Sequence, residues 1–168
     1  MRFSQLEEPV PISAGLPAPE FTLLDENSKL RSLAEFRGKP VLLYFYPKDD
    51  TPGCTTEACN FRDDYAEYEK AGVVILGVSP DSPKAHTKFK AKYNLPFSLL
   101  ADTDHKFCEA YGVWGLKKFM GKEYDGVFRT TFLIGPDGMI VKVFENVKPD
   151  GHSNEVLGAL SNNAGYFS

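Results

Sequence analysis

The stretch Pro40–Tyr46 reads Pro-Val-Leu-Leu-Tyr-Phe-Tyr, and it decides the fold class of this 168-residue chain. A continuous apolar run rich in strand-forming residues is typical of a strand buried on both faces, as in the middle of a largely parallel sheet. A sheet of this kind has helices packed on its faces. The run therefore predicts an α/β protein with a buried central strand.

A loop and then a helix are predicted directly after this strand. The loop is Pro47–Gly53, and Thr51-Pro52 is a helix-start signal, because hydroxyl residues favour the N-cap and proline the first helical position. Apolar residues then follow at spacings of 4, 3, 4 and 3, namely Cys54, Ala58, Phe61, Tyr65 and Tyr68. This helical period predicts a single helix that ends at about Lys70.

The other predicted elements alternate between strands and helices, and their order indicates the fold. A thioredoxin-like fold is indicated, with a central mixed β-sheet flanked by helices and an N-terminal β-strand extension. We expect one domain over residues 1–168, in which residues 1–19 form an extended, proline-punctuated arm. The segment 113–126 is expected to be loop or short irregular pieces. Strands are predicted at 21–24, near Leu30, and at 73–78 and 97–100; helices at 81–93, 102–111 and 153–160; and a hairpin at 129–134 and 139–144.

Composition and charge exclude several classes of protein. The chain has 19 basic and 23 acidic residues, a formal charge of −4 and a pI near 5.4. This charge argues against a general nucleic-acid binder and against a protein that binds anionic membrane surfaces. No apolar run approaches the roughly 20 residues that span a bilayer, and residues 1–19 do not resemble a signal peptide. We therefore expect a cytoplasmic protein, in which nearby cysteines are catalytic, redox-sensing or metal-binding rather than structural.

Cys54 is the candidate nucleophile. It lies at about the third position of the predicted helix, where the backbone N–H groups have no partners within the helix and the helix end carries a partial positive charge of roughly +0.5. Both effects favour a thiolate over a thiol. The Thr51 hydroxyl, three residues earlier, is close enough to reach the same pocket. The alternative, that Cys54 is a small core residue on the apolar stripe, stays open at this point.

Cys59 lies five residues after Cys54, on a different side of the same helix. The two positions differ by about 140° and roughly 7.5 Å along the axis, so their Cα atoms lie about 8.6 Å apart. A disulfide needs a Cα separation below about 7 Å, so the first turns would have to unwind before the thiols could pair. Cys59 could equally be an inert helix residue.

The spacing of the three cysteines separates several redox and metal classes. Disulfide exchangers of the thioredoxin type use Cys-x-x-Cys, whereas this chain has Cys-x-x-x-x-Cys. The third cysteine, Cys108, has only His105 nearby, which is a weak metal signal. We expect Cys108 to be a buried small residue, and His86 and His152 to lie on the surface.

The residues of the loop and helix resemble a known family. Pro47–Cys54 reads Pro-Lys-Asp-Asp-Thr-Pro-Gly-Cys and matches the Pro-x-x-x-Thr-x-x-Cys signature of peroxiredoxins. The longer stretch Tyr44–Cys59 looks like the peroxiredoxin Q subfamily, also called bacterioferritin comigratory protein. The resemblance runs from about residue 15 to about residue 160 and includes Gly77–Ser79 and Arg129–Ile134.

The resemblance implies a role for each matching residue. Cys54 would be the peroxidatic cysteine, and Cys59 matches the resolving cysteine of members that carry one on the same helix. Thr51 would hydrogen-bond the peroxide, Pro47 would shield the thiolate from water, and Arg129 would supply the neighbouring cation. These roles suit the chemistry, because peroxide reduction needs a thiolate nucleophile and donors that stabilise charge on the departing oxygen.

The activity implied is that of a thioredoxin-dependent, atypical 2-Cys peroxidase with no cofactor and no metal. It would reduce hydrogen peroxide and small organic hydroperoxides through a Cys54 sulfenic acid and a Cys54–Cys59 disulfide, and family members are often monomers. Glu57, three residues after Cys54, is an open candidate for the same network. Three alternatives remain: a peroxide sensor that relays oxidation to a partner protein, a general disulfide oxidoreductase, and a metal-binding module.

Overall fold

The apolar run at residues 40–46 forms the central strand of a mixed sheet. The structure is a computed structural model that describes residues 8–163. Its strands are β1 Thr22–Leu24, β2 Leu30–Ser32, β3 Val41–Phe45, β4 Val74–Ser79, β5 Ser98–Ala101, β6 Trp114–Phe119, β7 Lys122–Val127, β8 Thr130–Ile134 and β9 Ile140–Phe144. Its helices are α1 Pro52–Asp63, α2 Tyr65–Lys70, α3 Pro83–Tyr93, α4 Lys106–Ala110 and α5 His152–Asn162, with a 3₁₀ helix at Leu33–Phe36.

Seven strands form the main sheet, in the order β2-β1-β5-β4-β3-β8-β9. Strands β3, β4 and β5 are parallel, whereas β8 and β9 run antiparallel to their neighbours, as do β1 and β2. The predicted mixed sheet, its N-terminal strand pair and its C-terminal hairpin are all confirmed. This topology places the end of β3 between the end of β4 and the start of β8.

Alternate side chains of β3 enter the two cores of the molecule. Leu42 and Tyr44 face the core covered by α1, α2, α3 and α5, and Leu43 and Phe45 face the core on the other side of the sheet. All five residues of the strand are buried, as the sequence predicts for a strand covered on both faces.

The helix predicted over residues 51–70 is two helices. Helix α1 ends at Asp63, and α2 begins at Tyr65 after Asp64 adopts φ −96° and ψ 8°. The carboxylate of Asp64 accepts a hydrogen bond from the Ser153 hydroxyl at 2.6 Å, which fixes the junction to the start of α5. Four residues of the predicted apolar stripe are buried and Tyr65 is half-buried against the same core, because α2 keeps its aromatic residues on the same side as α1.

Residues 113–126 were expected to be irregular, but they include most of a β-hairpin. Strands β6 and β7 pair over their whole length, and the turn residues Met120 and Gly121 both have positive φ, at 52° and 80°. Such a turn matches the twist of a two-residue hairpin. The side chains of both strands are largely exposed or half-buried, so the sequence lacks the alternation of polar and apolar residues that predicts a strand.

The described part of the N-terminal arm, residues 8–19, crosses one edge of the sheet. The Gly15 N–H donates to the Ile140 carbonyl at 2.8 Å, and the Ile140 N–H donates to the Leu16 carbonyl at 2.9 Å. Residues 1–7 of the predicted arm lie outside the described residues. Over residues 8–163, no helix combines the length and apolar character needed to cross a membrane.

The prediction that His86 and His152 lie on the surface is wrong. Their exposed fractions are 0% and 2%, and both nitrogens of each ring have a partner. The His86 ring contacts Asp49 and the Leu100 carbonyl. The His152 ring contacts Thr131 and Glu155. Hydrogen bonds of this kind allow a polar ring to be buried, and no local sequence pattern predicts them.

Candidate active site

Cys54 lies in the first turn of α1, where the chain turns back from β3. Thr51 is the N-cap residue in extended conformation, Pro52 follows it, and the first backbone bond of the helix joins the Thr55 N–H to the Thr51 carbonyl at 2.8 Å. The Cys54 N–H therefore belongs to the turn whose donors have no partner within the helix. The predicted helix start and the predicted place of Cys54 are both confirmed, and the residue is 2% exposed.

Arg129 meets Cys54 across 75 residues of sequence. It lies between β7 and β8, and its Nη2 donates to Cys54 Sγ at 3.3 Å. Gly53 makes room for this approach, because a Cβ there would lie 3.2 Å from Nη2 and 3.4 Å from the side chain of Pro149. The sulfur thus has a permanent positive charge and a fixed donor beside it.

Glu57 completes the group of charged side chains at the site. Arg129 Nη1 donates to Glu57 Oε1 at 2.7 Å, and the glutamate is 1% exposed. Burial raises the pKa of Glu57 to about 7, although the charge of Arg129 and its hydrogen bond act in the opposite direction. The other oxygen, Oε2, has no hydrogen-bond partner among residues 8–163.

The pKa values of two cations at the site are shifted by their surroundings. Burial lowers the pKa of Arg129, but the charges of Glu57 and Cys54 outweigh it and leave the pKa raised. Burial lowers the pKa of Lys117 on β6, and the charge of Arg129 lowers it further. The Lys117 ammonium donates to the Val127 carbonyl at 2.7 Å. Sequence reasoning missed Lys117, because its hairpin was not predicted.

Pro47 and Thr51 lie in the loop between β3 and α1, and both are half-buried. Thr51 was predicted to cap the helix with its hydroxyl, but the hydroxyl donates instead to the Lys48 carbonyl at 2.9 Å. The side chain is therefore fixed by the loop itself. The structure brings Cys54, Arg129 and Glu57 into direct contact and places Pro47 and Thr51 in the loop that leads to Cys54.

The three cysteines are free and have different surroundings. Cys59 lies on the intact helix α1 and is half-buried, and burial raises the pKa of its thiol. Cys108 is completely buried in the opposite core, as predicted, and burial raises the pKa of its thiol strongly. Because an intact helix holds Cys54 and Cys59 apart, the pair is in its reduced, separated form.

Comparison with known proteins defines the class to which this fold and site belong. The AhpC/TSA family model matches residues 14–143. A protein named putative peroxiredoxin bcp from Coxiella burnetii is 56% identical over 149 residues, which are 89% of this chain and 99% of the relative.

Solved structures agree with the sequence comparison. Peroxiredoxin Q from Xanthomonas campestris is 41% identical, has a TM-score of 0.84, and covers 90% of this chain and 98% of its own. A second structure, of the bacterioferritin comigratory protein of the same organism, is 40% identical with a TM-score of 0.84, covers 90% of this chain and 99% of its own, and concerns alkyl peroxide reduction and trapped intermediates. The chain belongs to the AhpC/TSA family, and within it to the peroxiredoxin Q, or Bcp, group with its thioredoxin-like fold. It is a thiol-dependent peroxidase.

Proposed function

We propose that Cys54 is the peroxidatic cysteine of this enzyme and that Cys59 resolves it. The observation that carries the proposal is the 3.3 Å contact between Arg129 Nη2 and Cys54 Sγ at the tip of α1. A sulfur in this position is stabilised as a thiolate by a cation and by free backbone donors. Neither Cys59 nor Cys108 has a guanidinium donor among the described residues.

In the first step, the Cys54 thiolate attacks one oxygen of the peroxide. A sulfur–oxygen bond forms, the oxygen–oxygen bond breaks, and the departing oxygen takes up a proton and leaves as water or an alcohol. Arg129 stabilises the charge that develops on the oxygens. The Thr51 hydroxyl hydrogen-bonds the peroxide, and Pro47 limits access of bulk water to the sulfur.

In the second step, the Cys59 thiol condenses with the Cys54 sulfenic acid. A disulfide forms and one water is released, so the sulfenic oxygen leaves with the thiol proton. Helix α1 has to unwind locally for this step, because the two Cα atoms lie about 8.6 Å apart in an intact helix. An external dithiol then reduces the disulfide by exchange and becomes a disulfide itself.

We propose thioredoxin as that dithiol, and hydrogen peroxide and small organic hydroperoxides as substrates. The alkyl peroxide reduction of the Xanthomonas campestris relative supports the organic substrates. We also propose a cytoplasmic location, because reduction of a Cys54–Cys59 disulfide by a dithiol needs a compartment that keeps thiols reduced. We further propose that the chain acts as a monomer and that residues 1–168 form a single domain, which the continuous seven-stranded sheet supports.

The test is the oxidation of reduced thioredoxin by the purified protein when peroxide is added. We expect steady turnover that requires all three components. Slow or absent turnover together with rapid oxidation of Cys54 would favour a peroxide sensor. Reduction of insulin disulfides without any peroxide would favour a general disulfide oxidoreductase.

A further inference from the structure

A buried set of hydrogen bonds fixes the side chain of Asp49, in the middle of the loop between β3 and α1. His86 on α3 is completely buried, and its Nδ1 lies 2.6 Å from Asp49 Oδ2. Its Nε2 lies 3.0 Å from the Leu100 carbonyl oxygen. The Tyr46 hydroxyl donates to the other carboxylate oxygen of Asp49 at 2.6 Å. The carboxylate is therefore held from two sides.

The backbone at the same place is held as well. The Asp49 N–H donates to Asp81 Oδ2 at 2.8 Å, and the Ser79 hydroxyl donates to the same oxygen at 2.6 Å. At the other end of this peptide unit, the Lys48 carbonyl accepts the Thr51 hydroxyl at 2.9 Å. The peptide between residues 48 and 49 is thus fixed at its N–H, and its carbonyl in turn fixes Thr51.

A metal site could be suspected in the same place, because Asp49, Asp81 and His86 offer ligand atoms within 4.8 Å of one another. These atoms already bond to protein partners. The 2.6 Å contact between carboxylate and imidazole also leaves no space for an ion between them. The geometry is therefore that of a hydrogen-bonded brace between α3 and the loop.

We propose that His86 is a positioning residue for peroxide reduction, which acts through Asp49 to set the places of Thr51 and Pro47 beside Cys54. The inference rests on the proposed function, in which these two loop residues handle the peroxide. Asp49 lies between them in the chain, two residues from each. His86 contacts the loop through Asp49 and takes no part in the chemistry itself.

This role separates two properties of Cys54. The charge of the Cys54 sulfur depends on Arg129 and the helix tip, whereas the binding and orientation of the peroxide depend on the loop. Loss of the brace should therefore slow oxidation by peroxide without slowing alkylation by iodoacetamide, which needs the thiolate and access to the sulfur but no group that positions a peroxide. A residue with a merely structural role would affect both reactions or neither.

The experiment compares the second-order rate constant of Cys54 oxidation by hydrogen peroxide with that of alkylation by iodoacetamide. For His86→Leu, we expect oxidation to fall at least tenfold and alkylation to stay at no less than half the wild-type rate. Asp49→Asn should stay within threefold of wild type in both reactions, because its amide can still hydrogen-bond the imidazole and the Tyr46 hydroxyl. Parallel losses in oxidation and alkylation would refute the proposal.

His86→Leu leaves a buried carboxylate without its ring partner and could fail to fold. The double variant His86→Leu/Asp49→Asn removes that charge, so we expect it to fold and still to be oxidised at least tenfold more slowly. Recovery of the oxidation rate in the double variant would show that the pair is only structural. As a control, Ser82→Ala removes the N-cap bond of α3 to the Ala85 N–H and should lower stability without changing the oxidation rate.

The wild-type protein is measured first, so that two failures are distinguishable. If peroxide does not oxidise wild-type Cys54, the proposed function fails. If the wild type is oxidised rapidly and His86→Leu/Asp49→Asn reacts equally fast, the proposed function stands and the positioning role is refuted.

Discussion

At the scale of single residues, Cys54 and Glu57 share one cation. Arg129 donates through Nη2 to the Cys54 sulfur and through Nη1 to the Glu57 carboxyl group, so its two donors are divided between two acceptors. A lysine could not reproduce this fork, because its ammonium is a single point charge. The contact with Glu57 holds the guanidinium by a bond that does not involve the sulfur.

The first prediction concerns the nucleophile. Cys54→Ser should lower peroxide consumption by roughly 10³-fold or more, because a serine hydroxyl at this site is not ionised. Its thermal midpoint should stay within about 4 °C of wild type, since the two side chains have almost the same shape. Cys108→Ala is the matched control and should keep its activity. Substantial peroxide turnover by Cys54→Ser would contradict the mechanism.

The second prediction concerns stability and pH. Because burial raises the pKa of Glu57 from its ordinary 4.5 to about 7, the folded state binds this proton more tightly than the unfolded state. The resulting stability is complete below pH 4.5 and is lost as the pH rises through about 7, and it amounts to about 3 kcal/mol at most.

The free energy of unfolding of the wild type should therefore fall relative to that of Glu57→Gln between pH 5 and pH 8. Denaturant titrations of both reduced proteins at each pH measure the difference. Glu67→Gln, at an exposed position on α2, is the control and should follow the wild-type curve. Parallel curves for Glu57→Gln and wild type would show that the Glu57 carboxyl does not titrate in this range.

At the scale of elements, the proposed mechanism requires α1 to be formed when Cys54 reacts with peroxide and locally unwound when Cys59 reacts with Cys54. While it is formed, Cys54 lies in its first turn, where the N–H groups have no partner within the helix, and its stripe fills the core with Ala58 and Phe61. While its first turns are unwound, Cys59 is free to reach the sulfenic acid. Gly53, in the first turn of the helix, is a poor helix former, so it adds little helical propensity that would oppose this opening.

The third prediction follows from this geometry. Cys59→Ser should complete one turnover and stop, because the Cys54 sulfenic acid has no partner thiol on the helix. A dimedone-type reagent should trap at least tenfold more adduct in this variant than in wild type, as measured by mass spectrometry. If oxidised wild type contained no Cys54–Cys59 crosslink, resolution would pass to Cys108 or to an outside thiol.

The elements that the sequence predicts well are those with a strong local pattern. The buried run of β3, the proline-started helix α1 and the Pro-Asp-Gly hairpin of β8 and β9 all have one. The break at Asp64 has none, because α2 continues the apolar spacing of α1. The hairpin of β6 and β7 has none either, because it packs little of its surface on the core.

The functional site, too, can be predicted from the sequence only where a local pattern exists. Cys54, Thr51 and Arg129 stand out through a motif, whereas the buried partners do not. Glu57 carries one weak signal, its place three residues after Cys54 on the same helical face. His86 and Asp49 are 37 residues apart, and only the fold shows that their side chains meet. Long-range hydrogen bonds between buried polar groups leave no periodic pattern in the sequence.

At the scale of the whole molecule, the two ends of α1 are held differently. The C-terminal end is tied to the segment around α5, because Asn60 Nδ2 donates to the Pro149 carbonyl at 3.3 Å and the Ser153 hydroxyl donates to Asp64 at 2.6 Å. Phe61 is completely buried at the same end. At the N-terminal end, Arg129 donates to Cys54 Sγ at 3.3 Å and to Glu57 Oε1 at 2.7 Å, and a Cys54–Cys59 disulfide requires the turns between the two cysteines to unwind.

The fourth prediction is that oxidation to the disulfide unwinds α1 only up to its anchored end. Amide hydrogen exchange of residues 55–59, whose N–H groups bond within the reduced helix, should be at least tenfold faster in the oxidised than in the reduced protein, because a Cys54–Cys59 bond is incompatible with the helix. Exchange in α2 and α5 should be unchanged, since the bond between Ser153 and Asp64 is kept. Cys59→Ser after peroxide treatment is the control, and its protection should remain close to that of the reduced protein. Loss of protection through α2 and α5 in the oxidised protein would mean that the anchor fails and that resolution disrupts the whole helical layer.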